Sequence, residues 1–456
     1  IMFDTIELPT WFVAVAAVFA SIAAIERALI PSVRWFFRRR MERVVAKVNQ
    51  RLDRPIEPFK LARRHDMIQR LLYHPDVMQA VNEYAKSESI PENVAFQKAT
   101  KYAREIVPSF SATAYFTIAV NLARFLCQSM YKVSISQFNE VLNQIEGDAT
   151  VVFVMNHRSN MDYILFGYLA AKRSALSYAV GEWARVWPLS WLIRALGAFF
   201  IRRKSEGLLY RRVLARYVQM ATQGGVTQAV FPEGGLSLDG RLGAPRLGLL
   251  NYVMSGWTSD GPDVVFIPVA INYDRVLEDN ILGKAHKRGK RRFGVNIFLL
   301  FKFMTNQIWL RLTAQNKRLG NAAVSFGVPL SLNDFHSQKK EISIVDVGTE
   351  ILSRIALVMP VLPVPLIAAI LINHAPLSAV ELKSKVNDLM KDLEQNIINP
   401  TQTEATRVLE EGINNLKERQ LIELGPKGYT ISEKGRQVIP FYAASIEHLI
   451  GKSKEL

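Results

Sequence analysis

The sequence predicts an α/β protein, a mixed and largely parallel sheet flanked by helices, with helical regions at its N-terminal and C-terminal sides. Two observations carry that expectation. First, short apolar runs recur at TVVFVM (150–155), LSYAV (176–180), TQAVF (227–231), VVFIPVAI (264–271) and AAVSFG (322–327). Apolar runs of that length, bounded by turn residues, read as strands buried on both faces. Second, helically spaced segments fall between them, notably MDYILFGYLAAK and LLYRRVLARYVQMATQ, and alternating strands and helices build parallel sheets.

The other elements follow in chain order. At 456 residues the chain is too long for one ordinary domain, and 49% apolar residues suffice for a large core. Residues 1–40 are expected to be an N-terminal membrane anchor. LPTWFVAVAAVFASIAAI, from Leu8 to Ile25, carries no charge, a marginal length against the roughly 20 apolar residues a spanning helix needs. A buried or interfacial helix is the alternative. Arg34, Arg38, Arg39, Arg40 and Arg43 follow it, with Trp35, Phe36 and Phe37 interleaved, and only Asp4 and Glu7 precede it. That asymmetry places the rest of the chain at the cytoplasmic face of the cytoplasmic (inner) membrane. A secretory signal would have its charges and its cleavage site in other places.

Residues 41–146 are expected to be helical: RLLYHPDVMQAVNEYAKSE and AFQKATKYAREIV place apolar residues three and four apart. AYFTIAVNLARFLCQSMY (114–131) is apolar around most of its circumference, so it reads as core or as membrane-facing. The α/β domain spans 147–336. A C-terminal helical region, 337–456, carries ISIVDVGTEILSRIALV, AVELKSKVNDLMKDLEQ and a short hairpin around GPKGYTISEKG.

The charge is +16, which favours anionic partners such as anionic lipids, phosphorylated substrates or an acidic carrier protein. No nucleic acid partner is expected. KAHKRGKRR (284–292) reads as a solvated loop, and GKS at 451–453 has Ile446 where a Walker A glycine should stand. The single cysteine, Cys127, excludes an internal disulfide and a cysteine-based zinc site.

Four stretches carry chemistry. In VFVMNHRSNMDY (152–163) a strand ends and presents His157 in the following turn, where open α/β sheets place their ligands. Asp162 falls in the first turn of the next helix. A carboxylate there can hold one imidazole nitrogen and leave the other as a general base. Without a Gly-x-Ser-x-Gly elbow, the base must act on a hydroxyl brought by the substrate. The plain alternative makes Asp162 a helix-terminus charge and His157 a loop residue. GAFFIRR (197–203) ends in Arg202 and Arg203, suited to a phosphate or else a solvated edge. FPEGGLSLDGRL (231–242) brings Glu233 and Gly234 to a strand end, where glycine lets backbone amides approach a polar ligand, or where a turn simply forms. FIPVAINYDRVLE (266–278) runs through Pro268 to Tyr273, Asp274 and Arg275, and could equally be a core strand with a charged exit.

In this order the four stretches resemble the glycerol-3-phosphate and dihydroxyacetone-phosphate acyltransferases of the glycerolipid acyltransferase superfamily. His157 and Asp162 match the family's His-four-residues-Asp block. GAFFIRR matches its second block unchanged, Phe231 to Gly234 its third, and Pro268 its fourth. LGAPRLGLL (242–250), NYDRVLE, VSFGVPLSL (324–332), MPVLPVPLIAAILI (359–372) and IPFYAASIEHLI (439–450) also look like the glycerol-phosphate branch. The resemblance covers roughly residues 60 to 450, and the ordered set is more specific than any one block.

It implies the glycerolipid acyltransferase fold. It also implies transfer of a fatty acyl group from acyl-CoA or acyl-carrier protein to the sn-1 hydroxyl of glycerol 3-phosphate, giving lysophosphatidate, the first step of glycerophospholipid synthesis. His157 would be the general base and Asp162 would orient it. Arg202 and Arg203 would grip the phosphate, Glu233 and Gly234 would shape the acceptor site, and Ser159 would touch the acceptor. No metal and no cofactor is implied. One departure stands out. The family's third block continues Glu-Gly-Gly-Arg-Ser-Arg, and Leu236 and Leu238 stand here in place of both arginines. Either Arg202, Arg203, Lys204, Arg241, Arg246 or Arg275 compensates, or the acceptor is dihydroxyacetone phosphate or a lysophospholipid. A catalytically silent membrane-surface protein is the reading from another class. Chain-length preference, choice of donor and oligomeric state are not legible.

Overall fold

The computed structural model describes residues 10, 17, 43, 45–50, 52, 54–112, 114–171, 175–181, 193–194, 196–202, 207–287, 318–339, 342–396 and 405–452. The chain forms two compact units, Ile1–Pro55 and Ile56–Leu456. The expected anchor run at 8–25 lies outside the described residues, apart from Thr10 and Ala17. Most of KAHKRGKRR also lies outside them. Among the described residues no helix is long and apolar enough to cross a membrane.

The second unit is organised around one sheet. Its strands are β1 Lys132–Ser136, β2 Thr150–Met155, β3 Ser177–Gly181, β4 Phe199–Ile201, β5 Gln228–Val230, β6 Val264–Tyr273, β7 Asn321–Phe326 and β8 Leu330–Ser331. They lie in the order β1-β7-β6-β2-β5-β3-β4, with β8 also on β6. Every pairing is parallel except those of β6 with β7 and β8. The predicted mixed, largely parallel sheet is therefore the observed one. β2, β5 and β6 are buried along their whole length, which is why they read as unbroken apolar runs. β1 is an edge strand, largely exposed, with the polar sequence KVSIS. It offers no such run, and the sequence reading passed over it.

Pro268 lies inside β6, level with Val154 of β2. A proline has no N–H for a ladder. It is tolerated here because the antiparallel neighbour of β6 changes at this point, from β8 at Val265–Phe266 to β7 from Val269 onward.

Helices cover the sheet. Met161–Ala170 follows β2 and buries most of its circumference. Leu208–Gln223 packs against the N-terminal helices Pro75–Ser87 and Glu92–Ile106. The 114–131 segment forms a π-helical stretch, Ala114–Ala119, then the α-helix Val120–Met130. It buries Leu126, Cys127 and Met130 and leaves Ile118 and Leu122 exposed, so only one face packs. On the C-terminal side, Ile344–Leu357 lies on β6, and Pro363–His374 packs against Ala405–Glu418 and Gly435–Ala443. The expected hairpin is β9 Ile422–Gly425 with β10 Gly428–Ile431.

Candidate active site

The site begins where β2 stops. Asn156 replaces the lost strand pairing with its side chain, donating to the Ile271 carbonyl at 2.9 Å and accepting from the Ile271 N–H at 2.7 Å. The chain is thereby released from the sheet at His157, at the C-terminal end of a central strand. The next helix starts at Met161 and puts Asp162 in its first turn, as the spacing predicts.

Asp162 is the hub. Its Oδ2 accepts from His157 Nδ1 at 2.9 Å, from the Arg158 N–H at 2.7 Å and from the Ser159 N–H at 3.0 Å. Its Oδ1 accepts from the Tyr273 hydroxyl at 2.7 Å. Four donors on one carboxylate fix its position and the loop around it. Burial and the Asp162 charge push the Tyr273 phenol well above its ordinary range, so it stays a neutral donor. Nδ1 is the ring nitrogen engaged by Asp162, which leaves Nε2 as the other nitrogen of the imidazole. The imidazole is buried against Phe231, with ring centroids 4.2 Å apart, and meets the Tyr163 ring edge-on at 5.2 Å.

Two further buried carboxylates hold the same loop. Glu233 accepts from the His157 N–H through Oε1 and from the Gly243 N–H through Oε2, both at 3.0 Å. Burial raises its pKa, and those two hydrogen bonds oppose the rise. Glu278 accepts from Ser159 Oγ at 2.8 Å and from the backbone and side-chain nitrogens of Asn160 at 3.2 and 3.0 Å. Its pKa is raised by burial in the same way. The His157 carbonyl accepts from the Ser237 N–H at 2.8 Å, so both sides of the His157 backbone are tied to the 233–237 turn.

Arg158 is fully buried. It donates to the Gly240 carbonyl at 2.6 Å and lies over the Phe441 ring. Burial lowers its pKa to about 10, against the opposing pull of Glu233, Asp162 and Asp239. Gly240 has φ +88°, and a Cβ there would meet the Phe441 carbonyl oxygen at 1.9 Å, so only glycine allows this close approach.

The structure thus brings His157, Asp162, Ser159, Glu233 and Gly234 together. Ser159 Oγ is spoken for by Glu278 rather than open to a substrate. Arg202 stands apart. Its Nε and NH2 grip both oxygens of Glu105 at 2.9 and 2.7 Å, in a fork-to-fork pair. Arg203 and Lys204 lie outside the described residues. Pro268 is a strand residue three register positions before the level of His157. Arg158, Tyr273 and Glu278 were not assigned roles from sequence. The NYDRVLE block contains the last two, but nothing in it says that they turn back onto the β2 loop. Among the described residues no three His, Cys, Asp or Glu side chains gather as a metal-binding group.

Two family models match the chain. One, described as Acyltransferase, covers residues 136–272, and the other, described as Glycerol-3-phosphate acyltransferase C-terminal region, covers 308–450. Relatives named glycerol-3-phosphate acyltransferase include one from Pseudomonas aeruginosa strain UCBPP-PA14, 33% identical over 280 residues, and one from Pseudomonas putida strain W619, 31% identical over 285 residues. These matches cover 60% and 61% of this chain, which spans only 32% and 33% of the two relatives' length. A solved 1-acyl-sn-glycerophosphate (LPA) acyltransferase from Thermotoga maritima gives a TM-score of 0.30 at 18% identity, over 52% of this chain and 80% of that one. A likeness that slight carries no argument, and the fold rests on the strands described above.

Proposed function

We propose, for a chain that belongs to the glycerol-3-phosphate acyltransferase family, that it transfers a fatty acyl group from a thioester, acyl-CoA or acyl-carrier protein, to the sn-1 hydroxyl of glycerol 3-phosphate. The observation that carries this reading is the buried His157–Asp162 pair, 2.9 Å apart, at the end of a central strand with Nε2 uncommitted.

His157 Nε2 takes the hydroxyl proton as the acceptor oxygen attacks the thioester carbonyl. The forming imidazolium is stabilised by Asp162, which already receives Nδ1–H and needs no rearrangement. The new C–O bond replaces the C–S bond when the tetrahedral intermediate collapses. The proton held on Nε2 passes to the departing thiolate. Glu233 and Tyr273 act one step back: the first holds the backbone of His157, the second holds Asp162. Membrane association belongs to the same reading and is supported by the +16 charge and the uncharged 8–25 run. It predicts retention on anionic vesicles over zwitterionic ones.

The test is the purified protein with labelled palmitoyl-CoA and a panel of acceptors: glycerol 3-phosphate, dihydroxyacetone phosphate, lysophosphatidate and glycerol. Lysophosphatidate formed from glycerol 3-phosphate at the highest kcat/KM supports the reading. Preferential acylation of another member transfers the reading to that acceptor, and no product at all sinks it.

A further inference from the structure

The missing arginines at 236 and 238 leave an acceptor phosphate without its expected partners, and the structure narrows what replaces them. Arg202 is committed to Glu105. Arg241 pairs with Glu447 at 2.7 Å. Arg158 is buried and reaches toward Gly240. Arg275 follows Asp274, which is tied to Asn321, and its own carbonyl accepts from Tyr131, so its backbone is held on the β1–β7 side of the sheet.

Arg246 differs from all of these. Its backbone N–H donates to the Pro232 carbonyl at 2.6 Å, and Gly243, three residues earlier, donates to Glu233. The 243–246 segment is therefore wrapped around the turn whose carboxylate holds the His157 N–H. From there the Arg246 side chain crosses directly over Gly234. A Cβ at position 234 would lie 2.6 Å from Arg246 Cδ and 3.4 Å from its Nε. Gly234 has φ +64°, so glycine serves both the left-handed turn and the seat for this side chain. Arg246 is exposed, and no carboxylate is paired with its guanidinium among the described residues.

We infer that Arg246 binds the phosphate of the acceptor, taking over the work of the absent arginines. This makes it a specificity-determining residue for phosphate monoester acceptors. A guanidinium offers a planar fork that matches two phosphate oxygens at once. Seated on the Glu233–Gly234 turn, it anchors the charged end of a three-carbon acceptor beside the loop that carries the base. Leu236 and Leu238, at the positions of the absent arginines, are half-buried and pack against the core.

The inference rests on the proposed acyl transfer, and its test separates the two. Arg246→Gln, Arg246→Lys and Arg275→Gln are compared with wild type in steady-state assays on glycerol 3-phosphate and on glycerol, which lacks the phosphate. Binding of glycerol 3-phosphate to each protein is measured by calorimetry. Arg246→Gln is expected to raise the KM and the Kd for glycerol 3-phosphate about 10–100-fold, the worth of a lost charge-assisted pair. The acyl-CoA KM and the slow rate on glycerol should stay within about twofold. Arg246→Lys should fall between, keeping the charge without the fork. An Arg246→Gln protein that binds glycerol 3-phosphate as wild type does overturns the inference, as does an affinity loss confined to Arg275→Gln. If wild type binds glycerol 3-phosphate through Arg246 but transfers no acyl group, the proposed reaction fails and the anion site stands. If wild type binds none, both fail.

Discussion

On the proposed reading the site has a base side and an acceptor side, and the two are built in opposite ways. Around His157 the polar groups are buried and interlocked: one carboxylate, Asp162, takes four donors, and Glu233 and Glu278 hold the flanking backbone. Around Gly234 the turn is open, and the cation over it, Arg246, is exposed. The difference follows from what each side does. A general base must be held to within a fraction of an ångström before the substrate arrives, so its partners are fixed by the fold. An anion grip needs a charge within reach, and a long side chain can supply that from more than one position along the turn. On this reading the base side should be sensitive to any change of residue, whereas the acceptor side can do without arginine at 236 and 238 and draw on Arg246.

The comparison can be broken most severely at Asp162. Asp162→Ala strands the imidazole and leaves the Arg158 and Ser159 N–H groups and the Tyr273 hydroxyl without their acceptor. We expect kcat to fall by about 10³ or more, with little change in acceptor Kd. A tenfold drop confined to KM would mean that Asp162 is not part of the base.

Next in size is a pH effect behind the base side. Asp274 accepts from the Val364 N–H at 2.9 Å and from the backbone and side chain of Asn321 at 2.8 and 2.7 Å, joining β6, β7 and the Pro363–His374 helix. Burial pushes its pKa up to about 6 from an ordinary 3.8, and these hydrogen bonds oppose the rise only in part. A carboxyl raised in the folded state favours folding below its unfolded value and loses that contribution as pH climbs through its folded value. The stability advantage of wild type over Asp274→Ala should therefore be greatest below about pH 4 and shrink by roughly 2 kcal/mol by about pH 6.5. Denaturant melts of the two proteins across that range measure it, and a difference independent of pH would place the Asp274 carboxyl near its ordinary value.

A smaller change sharpens the acceptor side. Leu236→Arg restores the arginine that the family pattern expects. Because Leu236 packs against the core, the new charge should cost about 1–2 kcal/mol of stability with no gain in glycerol 3-phosphate affinity. Tighter binding at an unchanged Tm would instead show that the family's phosphate position is still usable here.

What could be read from the sequence divides along the same line. The buried strands TVVFVM and VVFIPVAI declare themselves because both their faces are apolar, and His157 with Asp162 declares itself because both lie within one turn and one helix start. Contacts across long separations do not. Glu278 lies 119 residues from Ser159, and Glu105 lies 97 residues from Arg202. No local pattern states that the first pair closes the loop after β2, or that the second commits a guanidinium expected to face a phosphate. Edge strand β1 was missed because its polar alternation leaves no apolar run, and the antiparallel entry of β7 because strand direction has no signature in a six-residue segment. Arg246 was one of several candidate cations from sequence. Only its position over Gly234 sets it apart.

The central claim is that His157 is the base, and the most direct measurement is single-turnover acyl transfer to glycerol 3-phosphate by His157→Ala, with the fold checked by thermal melting. The account predicts a rate lower by about 10²–10⁴, at a Tm close to wild type and an unaltered Kd for glycerol 3-phosphate. Wild-type turnover by a folded His157→Ala protein would contradict it, because no other group on the β2 loop could then be excused from doing the same work.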